Sequence, residues 1–257
     1  MTVWQEIAEK KAALDRLRPL TPRSLAALDA WYDVELTYTS NALEGNTLTR
    51  SETALVLEKG LTVRGKRLSD HLEIVDHKEA LDYVRLLAAQ DGPIREGDVK
   101  AIHALVLARS NKEEAGRYSR YQRFIQGSNV QFPPPLEVPA LMEAFGQWLA
   151  GLDLSPQNAF EAHARLVSIH PFTDGNGRTA RLFMNLLLIK GGYPPVVILP
   201  EDKPDYIDAL ESRQSGGDGA AFDAFMARRL SASLDAYLRT ASNELAARTG
   251  AEGQQDP

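Results

Sequence analysis

No cysteine occurs in the 257 residues, which excludes disulfides and thiolate metal sites. Basic residues are outnumbered, 29 Lys and Arg against 35 Asp and Glu. The resulting net charge of −6 argues against coating nucleic acid, because phosphate neutralisation needs clustered cations. No apolar run approaches the roughly 20 residues that span a bilayer. The first residues are polar and charged rather than signal-like, so a soluble cytoplasmic protein is expected. Neither an internal repeat nor an inter-domain linker interrupts the chain. With 44% of its residues hydrophobic, it can bury a sizeable core.

What the chain does contain is one helical pattern after another, punctuated by glycine and proline. Thr2 and Gln5 form a capping box for a helix reaching about Leu17. Thr21 and Pro22 open a second, which runs to Leu43 and stops at Glu44-Gly45-Asn46, where glycine supplies a left-handed exit. Thr49 with Glu52 starts a short helix ending near Lys59-Gly60, and a long one follows over about 70–89. Val99, Ile102 and Val106 mark the next, and Pro139 and Ser155-Pro156 open two more. Residues 182–189 are apolar nearly all round, as in a helix buried at the centre of a bundle. Asp202-Lys203-Pro204 starts a helix bearing Tyr206 and, two turns on, Gln214. The last helix runs from about Ala220 into the 240s, and from Gly250 the composition reads as a disordered tail. Residues 121–126 and 130–132 bracket a Gly127-Ser128-Asn129 turn, the one convincing hairpin signal, closed by Pro133-Pro134-Pro135. His71, His77 and His103 lack metal-ligand spacing and read as core or surface residues.

The polar chemistry concentrates in residues 169–181, IHPFTDGNGRTAR. Gly175, Asn176 and Gly177 can turn successive N–H groups inward as an anion nest. The positive end of the helix beginning near Arg178 adds to that field, so a phosphate is the natural guest. Arg178 and Arg181, three apart on one helical face, can hold further phosphate oxygens. Asp174 is a hard oxygen ligand suited to Mg²⁺ bridging phosphates. His170 is the one group there that exchanges a proton near neutral pH. Singly, each residue fits an ordinary tight connection between helices; together they describe a site. Glu44 is oddly placed, since a carboxylate at a helix C-terminus costs about 0.3–1 kcal/mol where exposed. It is either a tolerated surface residue or one recruited by a cation elsewhere, with Ser40 on the same face close enough to steady it.

HPFTDGNGRTAR resembles, with no departure, the Fic family signature HPFx(D/E)GNGRxxR. Ser40-Asn41-Ala42-Leu43-Glu44-Gly45 resembles that family's inhibitory motif, (S/T)xxxE(G/N), placed N-terminal to the core. The resemblance covers about residues 37–238 and implies an all-α Fic fold with one small β-hairpin flap. It implies an N-terminal helical region over 1–95 that includes the inhibitory helix (about 22–44), a Fic core over 96–240, and a helix end and tail over 241–257. The implied reaction transfers AMP from ATP to a Ser, Thr or Tyr hydroxyl of a target protein and releases pyrophosphate. His170 would be the general base, Asp174 the Mg²⁺ ligand, and the Gly175-Asn176-Gly177 amides the stabilisers of phosphoryl charge. Arg178 and Arg181 would orient the leaving pyrophosphate. Ile125, Gln126, Gly127 and Ser128 take the place of the flap that aligns the target and covers the nucleotide. The tip departs from relatives, with Gln126-Gly127 in place of a Gly-Gly pair. Tyr206 and Gln214 would wall the adenine and ribose pocket, where Tyr206-Ile207 replaces two adjacent tyrosines. Glu44, with Ser40, would pair with Arg181 and hold the enzyme off. Auto-modification and a homodimer are also implied, and neither nucleic acid nor membrane is an expected partner.

Other readings use the same residues. Glu44 could position a water that removes AMP from a modified protein. The transferred group could be phosphate or phosphocholine, which the intact GNGR turn with Asp174 disfavours. The chain could also be a nucleotide sensor without turnover, for which a base such as His170 has no use.

Overall fold

The helical punctuation becomes ten α-helices in the computed structural model, which describes residues 2–124 and 130–252. They are α1 (Val3–Arg16), α2 (Pro22–Leu43), α3 (Arg50–Lys59), α4 (Leu68–Ala89) and α5 (Glu96–Val106). After these come α6 (Val138–Leu149), α7 (Pro156–Ile169), α8 (Asn176–Lys190), α9 (Lys203–Gln214) and α10 (Ala220–Glu252). Four helices start where hydroxyl caps predict. The side chains of Thr2, Thr21, Thr49 and Ser155 each accept a backbone N–H three residues on, and the boxes at Thr2 and Thr49 are closed by Gln5 and Glu52.

Helix α8 is the axis of the bundle. Leu182, Phe183, Met184, Leu186 and Leu188 are all buried, and α8 packs against α7, α4 and α5. Leu28, Tyr32 and Leu36 of α2 share that core with Phe160 of α7 and Phe222 and Leu230 of α10. A small second cluster, Leu48, Val56 and Ile74, lies under α3. Helix α1 packs along α10, where Lys10 Nζ reaches Ser231 Oγ at 2.8 Å and Asp235 Oδ2 at 2.7 Å. Two polar side chains inside the bundle pair with backbone. Asp76 of α4 accepts the N–H groups of Arg109 and Ser110 at 2.9 and 2.8 Å, just past the end of α5. On α8, Asn185 Oδ1 accepts the Val196 N–H at 2.8 Å while its Nδ2 donates to the Val196 carbonyl at 3.1 Å. That clasp docks the buried, extended Val196-Val197-Ile198 segment without a partner strand.

Two expectations are corrected here. The arms of the expected hairpin form no strand among the described residues, and the one isolated bridge joins Tyr118 to Phe172. Tyr121 and Phe124 project into solvent, so the alternation finds no face to bury, and a lone ribbon is marginal in water. A side-chain bond from Gln122 Nε2 to the Phe132 carbonyl, 2.9 Å, links the arms instead. The flap positions Ile125, Gln126, Gly127 and Ser128 lie outside the described residues. Helix α10 also continues through Gly250 to Glu252, where a tail was expected.

Asn185→Ala would leave both Val196 backbone groups buried and unpaired, and should cost about 2–4 kcal/mol. Chemical denaturation of wild type and variant checks this; equal midpoints would show the clasp to be dispensable.

Candidate active site

The turn between α7 and α8 is held from behind. Helix α7 stops at His170, which adopts φ 50°, ψ 54°, and Pro171 cannot continue the helix. His170 is the one described non-glycine residue with positive φ, a conformation that persists only where surroundings impose it. The Phe132 ring packs 4.0 Å from the imidazole. Asn176 clamps the turn, accepting the Phe172 N–H at 2.9 Å through Oδ1 and donating to the Phe172 carbonyl at 2.8 Å through Nδ2. The Phe172 ring stacks on His103, centroids 3.6 Å apart. His103 accepts the Gly116 N–H at Nδ1, 2.9 Å, and so donates from Nε2 to the Asp174 carbonyl at 3.0 Å. The residue read as core or surface is thus a buttress of the turn. Gly175 sits at φ 73°, which strains any other residue, and a Cβ there would also crowd Val106 and His103.

A cavity of about 350 Å³ opens in front of this turn, lined by His170, Thr173, Asp174, Gly175, Asn176, Gly177, Arg181, Tyr206 and Ile207. Leu43, Glu44, Arg123 and Lys203 complete its wall. The Gly175 N–H is taken by Asp174 Oδ1 at 2.6 Å. The Asn176 and Gly177 amides, at the start of α8, have no intrahelical acceptor and are available to a guest anion.

A carboxylate stands beside that place. Glu44 Oε1 accepts from Arg181 Nη2 at 2.7 Å and lies so close to Gly177 that a Cβ there would sit 2.3 Å from it. Arg181 is buried; its Nε donates to Ser40 Oγ and its Nη2 to the Ser40 carbonyl, both at 2.9 Å. Ser40 therefore steadies the arginine and not the carboxylate, a correction to the expected arrangement. The Glu44 side chain stays 41% exposed and lines the cavity. Desolvation would raise its pKa; the Arg181, Arg178 and Lys203 charges outweigh that and hold it below the usual carboxylate range. Lys203 Nζ also donates to the Leu43 carbonyl at 2.6 Å, a cation at the negative end of α2 that offsets what Glu44 costs there.

The other expected site residues divide. Tyr206 lines the cavity and its hydroxyl meets His163 Nε2 at 2.9 Å. Gln214 does not line it; it borders a second cavity of about 420 Å³ with Ser168, Ile169, Ala164 and Phe145. Arg178 is missing from the wall as well. It is 3% exposed and faces Asp174 and Glu73 of α4, because α8 is buried on every side and its two arginines point to different neighbours. Arg123, Thr173 and Lys203 line the cavity without having been expected there. Lys203 had a signal of the kind that marked Glu44, a charge at the unfavourable end of its helix.

Burial pushes the His170 pKa down to about 4, against the pull of the Val167 backbone, so the ring is neutral near pH 7 and able to take a proton. The Asp174 carboxylate is 54% exposed beside the free amides. No group of three acidic or histidine ligands surrounds it among the described residues. A metal here would be held by one carboxylate plus phosphate oxygens, which suits Mg²⁺.

A helical bundle that presents helix-end amides, an exposed carboxylate and a neutral imidazole to one cavity is chemically suited to hold a phosphate. Residues 93–188 match the model of the Fic/DOC family. The chain is 41% identical over 206 residues to Protein adenylyltransferase Fic of Nematostella vectensis, covering 78% of this chain and 48% of that protein. Its identity to Protein adenylyltransferase Fic of Drosophila grimshawi is 38% over 210 residues, 80% of this chain and 43% of that one. The crystal structure of a Fic domain containing signaling protein from Bacteroides thetaiotaomicron shares the fold with a TM-score of 0.83 at 29% identity, over 93% of this chain and 97% of that one. Fic-1 from C. elegans gives a TM-score of 0.83 at 29% identity, over 94% and 73%. The chain spans about half the length of the curated relatives it matches. It carries a Fic domain over residues 93–188 and shares its fold with these Fic proteins.

Burial holds His170 and His103 down to about 4 and His77 and His163 to about 3, each from an ordinary 6.5. Unfolding lets these rings bind protons that the folded state refuses. Their contribution to stability is present in full above about pH 6.5 and is lost progressively as pH falls toward 4 and below. Thermal melts between pH 7 and 4 should show Tm falling throughout; a flat Tm over that range would contradict the neutral, buried rings.

Proposed function

We propose that this chain is a protein adenylyltransferase, moving AMP from ATP to a Ser, Thr or Tyr hydroxyl of a protein, and that Glu44 holds it off. One observation carries this reading: a carboxylate occupies the anion site beside Gly177 and takes a hydrogen bond from Arg181 that a nucleotide phosphate needs. The names of the curated relatives support the same activity.

His170, neutral near pH 7, takes the proton from the incoming hydroxyl. That oxygen forms a bond to the α-phosphorus, the bond to the bridging oxygen breaks, and pyrophosphate leaves. The Asn176 and Gly177 amides and the α8 dipole stabilise the charge that develops on the phosphoryl oxygens. Mg²⁺, when bound, would neutralise phosphate charge, and Asp174 is the residue to hold it. Arg181 orients the departing pyrophosphate. Tyr206 and Ile207, on the cavity wall, would pack against ribose and base.

The size of the inhibition tests the device. A hundredfold suppression needs about 2.7 kcal/mol. A surface ion pair contributes roughly 0–1 kcal/mol. Here the arginine is buried and pre-set by two bonds from Ser40, so little side-chain freedom is lost in pairing. The carboxylate also fills the space in front of Gly177, so charge and bulk act together. A second reading draws on the same carboxylate. Lying in one cavity with His170 and charged at neutral pH, Glu44 is suited to orient a water that removes AMP from a modified protein.

With ATP labelled at the α-phosphate, Glu44→Gly should label itself or a partner about a hundredfold more than wild type, and Glu44→Gly/His170→Ala should not label at all. Equal labelling of wild type and Glu44→Gly would end the inhibitory reading. Incorporation from γ-labelled ATP would mean phosphorylation. Asp174→Asn should keep its melting temperature while losing Mg²⁺-stimulated ATP binding, because an amide is a poorer ligand for a hard cation; an unchanged Mg²⁺ response would clear Asp174 of that role.

A further inference from the structure

Arg178 is a buried cation without a place on the cavity wall, and its surroundings give it different work. Its Nη2 reaches the two Asp174 oxygens only at 3.3 and 3.4 Å, and Nη1 lies 3.7 Å from Glu73 Oε1. Nε and Nη1 make no hydrogen bond. Good charge-assisted bonds are about 2.7–2.9 Å long, so this guanidinium is suspended between two carboxylates and seized by neither. The carboxylates differ in freedom. Asp174 faces the cavity. Glu73 is pinned on α4 by Asn46, whose Nδ2 donates to Glu73 Oε2 at 2.8 Å and to the Asp70 carbonyl at 3.0 Å. Asn46 follows Gly45 in the turn that ends the Glu44 helix, and its own N–H returns to the Asn41 carbonyl at 3.1 Å. A line of polar contacts thus runs Asn46, Glu73, Arg178, Asp174, behind the cavity, from the end of the inhibitory helix to the phosphate turn.

We infer that Glu73 is a positioning residue for Asp174, acting through Arg178 to keep the Asp174 carboxylate available to a divalent cation. The inference rests on the adenylyltransferase reading above. Two carboxylates share one guanidinium, so one negative charge is left over, and the geometry displays it on the cavity side. With Glu73 neutral, Arg178 has a single carboxylate to satisfy and draws Asp174 into a close, mutually satisfied pair. A carboxylate so matched competes poorly for a metal. Partners one shell removed from a metal ligand commonly change metal affinity by about 10–100-fold.

Glu73→Gln isolates the charge, because a glutamine carbonyl still accepts from Asn46. Binding of an ATP analogue with a methylene group between the α- and β-phosphorus would be measured by calorimetry, in EDTA and across a Mg²⁺ titration. Affinity in EDTA should be unchanged, while the Mg²⁺ concentration giving half the enhancement rises about tenfold. Glu73→Asp should recover part of that shift. A purely structural role for Glu73 would lower affinity equally with and without Mg²⁺, and that result would overturn the inference. So would superimposable Mg²⁺ titrations of wild type and Glu73→Gln. If neither wild type nor Glu44→Gly bound the analogue, the adenylyltransferase reading would fail and this inference with it; where Glu44 blocks wild type the comparison is made in Glu44→Gly, and Mg²⁺-dependent binding that Glu73→Gln leaves unshifted would sink only the role of Glu73.

Discussion

A buried guanidinium must be surrounded by acceptors, and in this fold Arg181 draws most of its acceptors from a helix more than a hundred residues away in sequence. The hydroxyl and carbonyl of Ser40 take two of its bonds and Glu44 a third. That demand docks α2 against α8, the axis of the bundle, and so brings the turn that carries Glu44 to the cavity in front of α8. The bonds also differ in kind. Those to Ser40 belong to the docking and persist whatever residue 44 is, which is why removing Glu44 is compatible with an intact fold. The bond to Glu44 belongs to the cavity and can be exchanged for a phosphate. One arginine therefore holds both the backbone of α2 and the carboxylate in the cavity, with Nη2 donating to each.

The phosphate turn is rigid for a separate reason. Asn176 spans it from within, and His103, locked in one tautomer by Gly116 and Asp174, supports it from α5. The left-handed backbone at His170 is a conformation that an isolated turn would abandon; stacked rings and buried hydrogen bonds on both sides keep it. Amides aimed in advance at a developing charge need no reorganisation during reaction, and that is where such sites gain most.

Much of this was legible in the sequence because it is local. Capping boxes, proline starts and the glycine exits at Gly45 and Gly60 depend on neighbours a few residues away, and these elements stand where the pattern puts them. The all-round apolar stretch of α8 announced the centre of the bundle. The phosphate turn was legible for the same reason, its residues lying in one stretch. What escaped depends on which neighbour a buried helix face meets. Arg178 and Arg181 are three apart, and nothing in their spacing says that one meets α4 and the other α2. His103 lies far from the turn in sequence, so its role exists only in three dimensions. The hairpin signal misled because alternation is only half of what a strand needs: Tyr121 and Phe124 found no sheet to cover.

Lys203 closes the last turn of α2 from across the cavity, bonding the carbonyl next to Glu44 while its own helix carries Tyr206 and Gln214. Helices α2 and α9 are therefore stitched at their tips, like two jaws sharing one tooth. Withdrawal of Glu44 from the anion site by fraying of that turn would break the stitch and slacken the opposite wall. Glu44 can instead leave by rotating its side chain alone, with both helices in place. The stitch thus makes moving one side chain cheaper than moving a helix, and a cavity emptied that way keeps its walls.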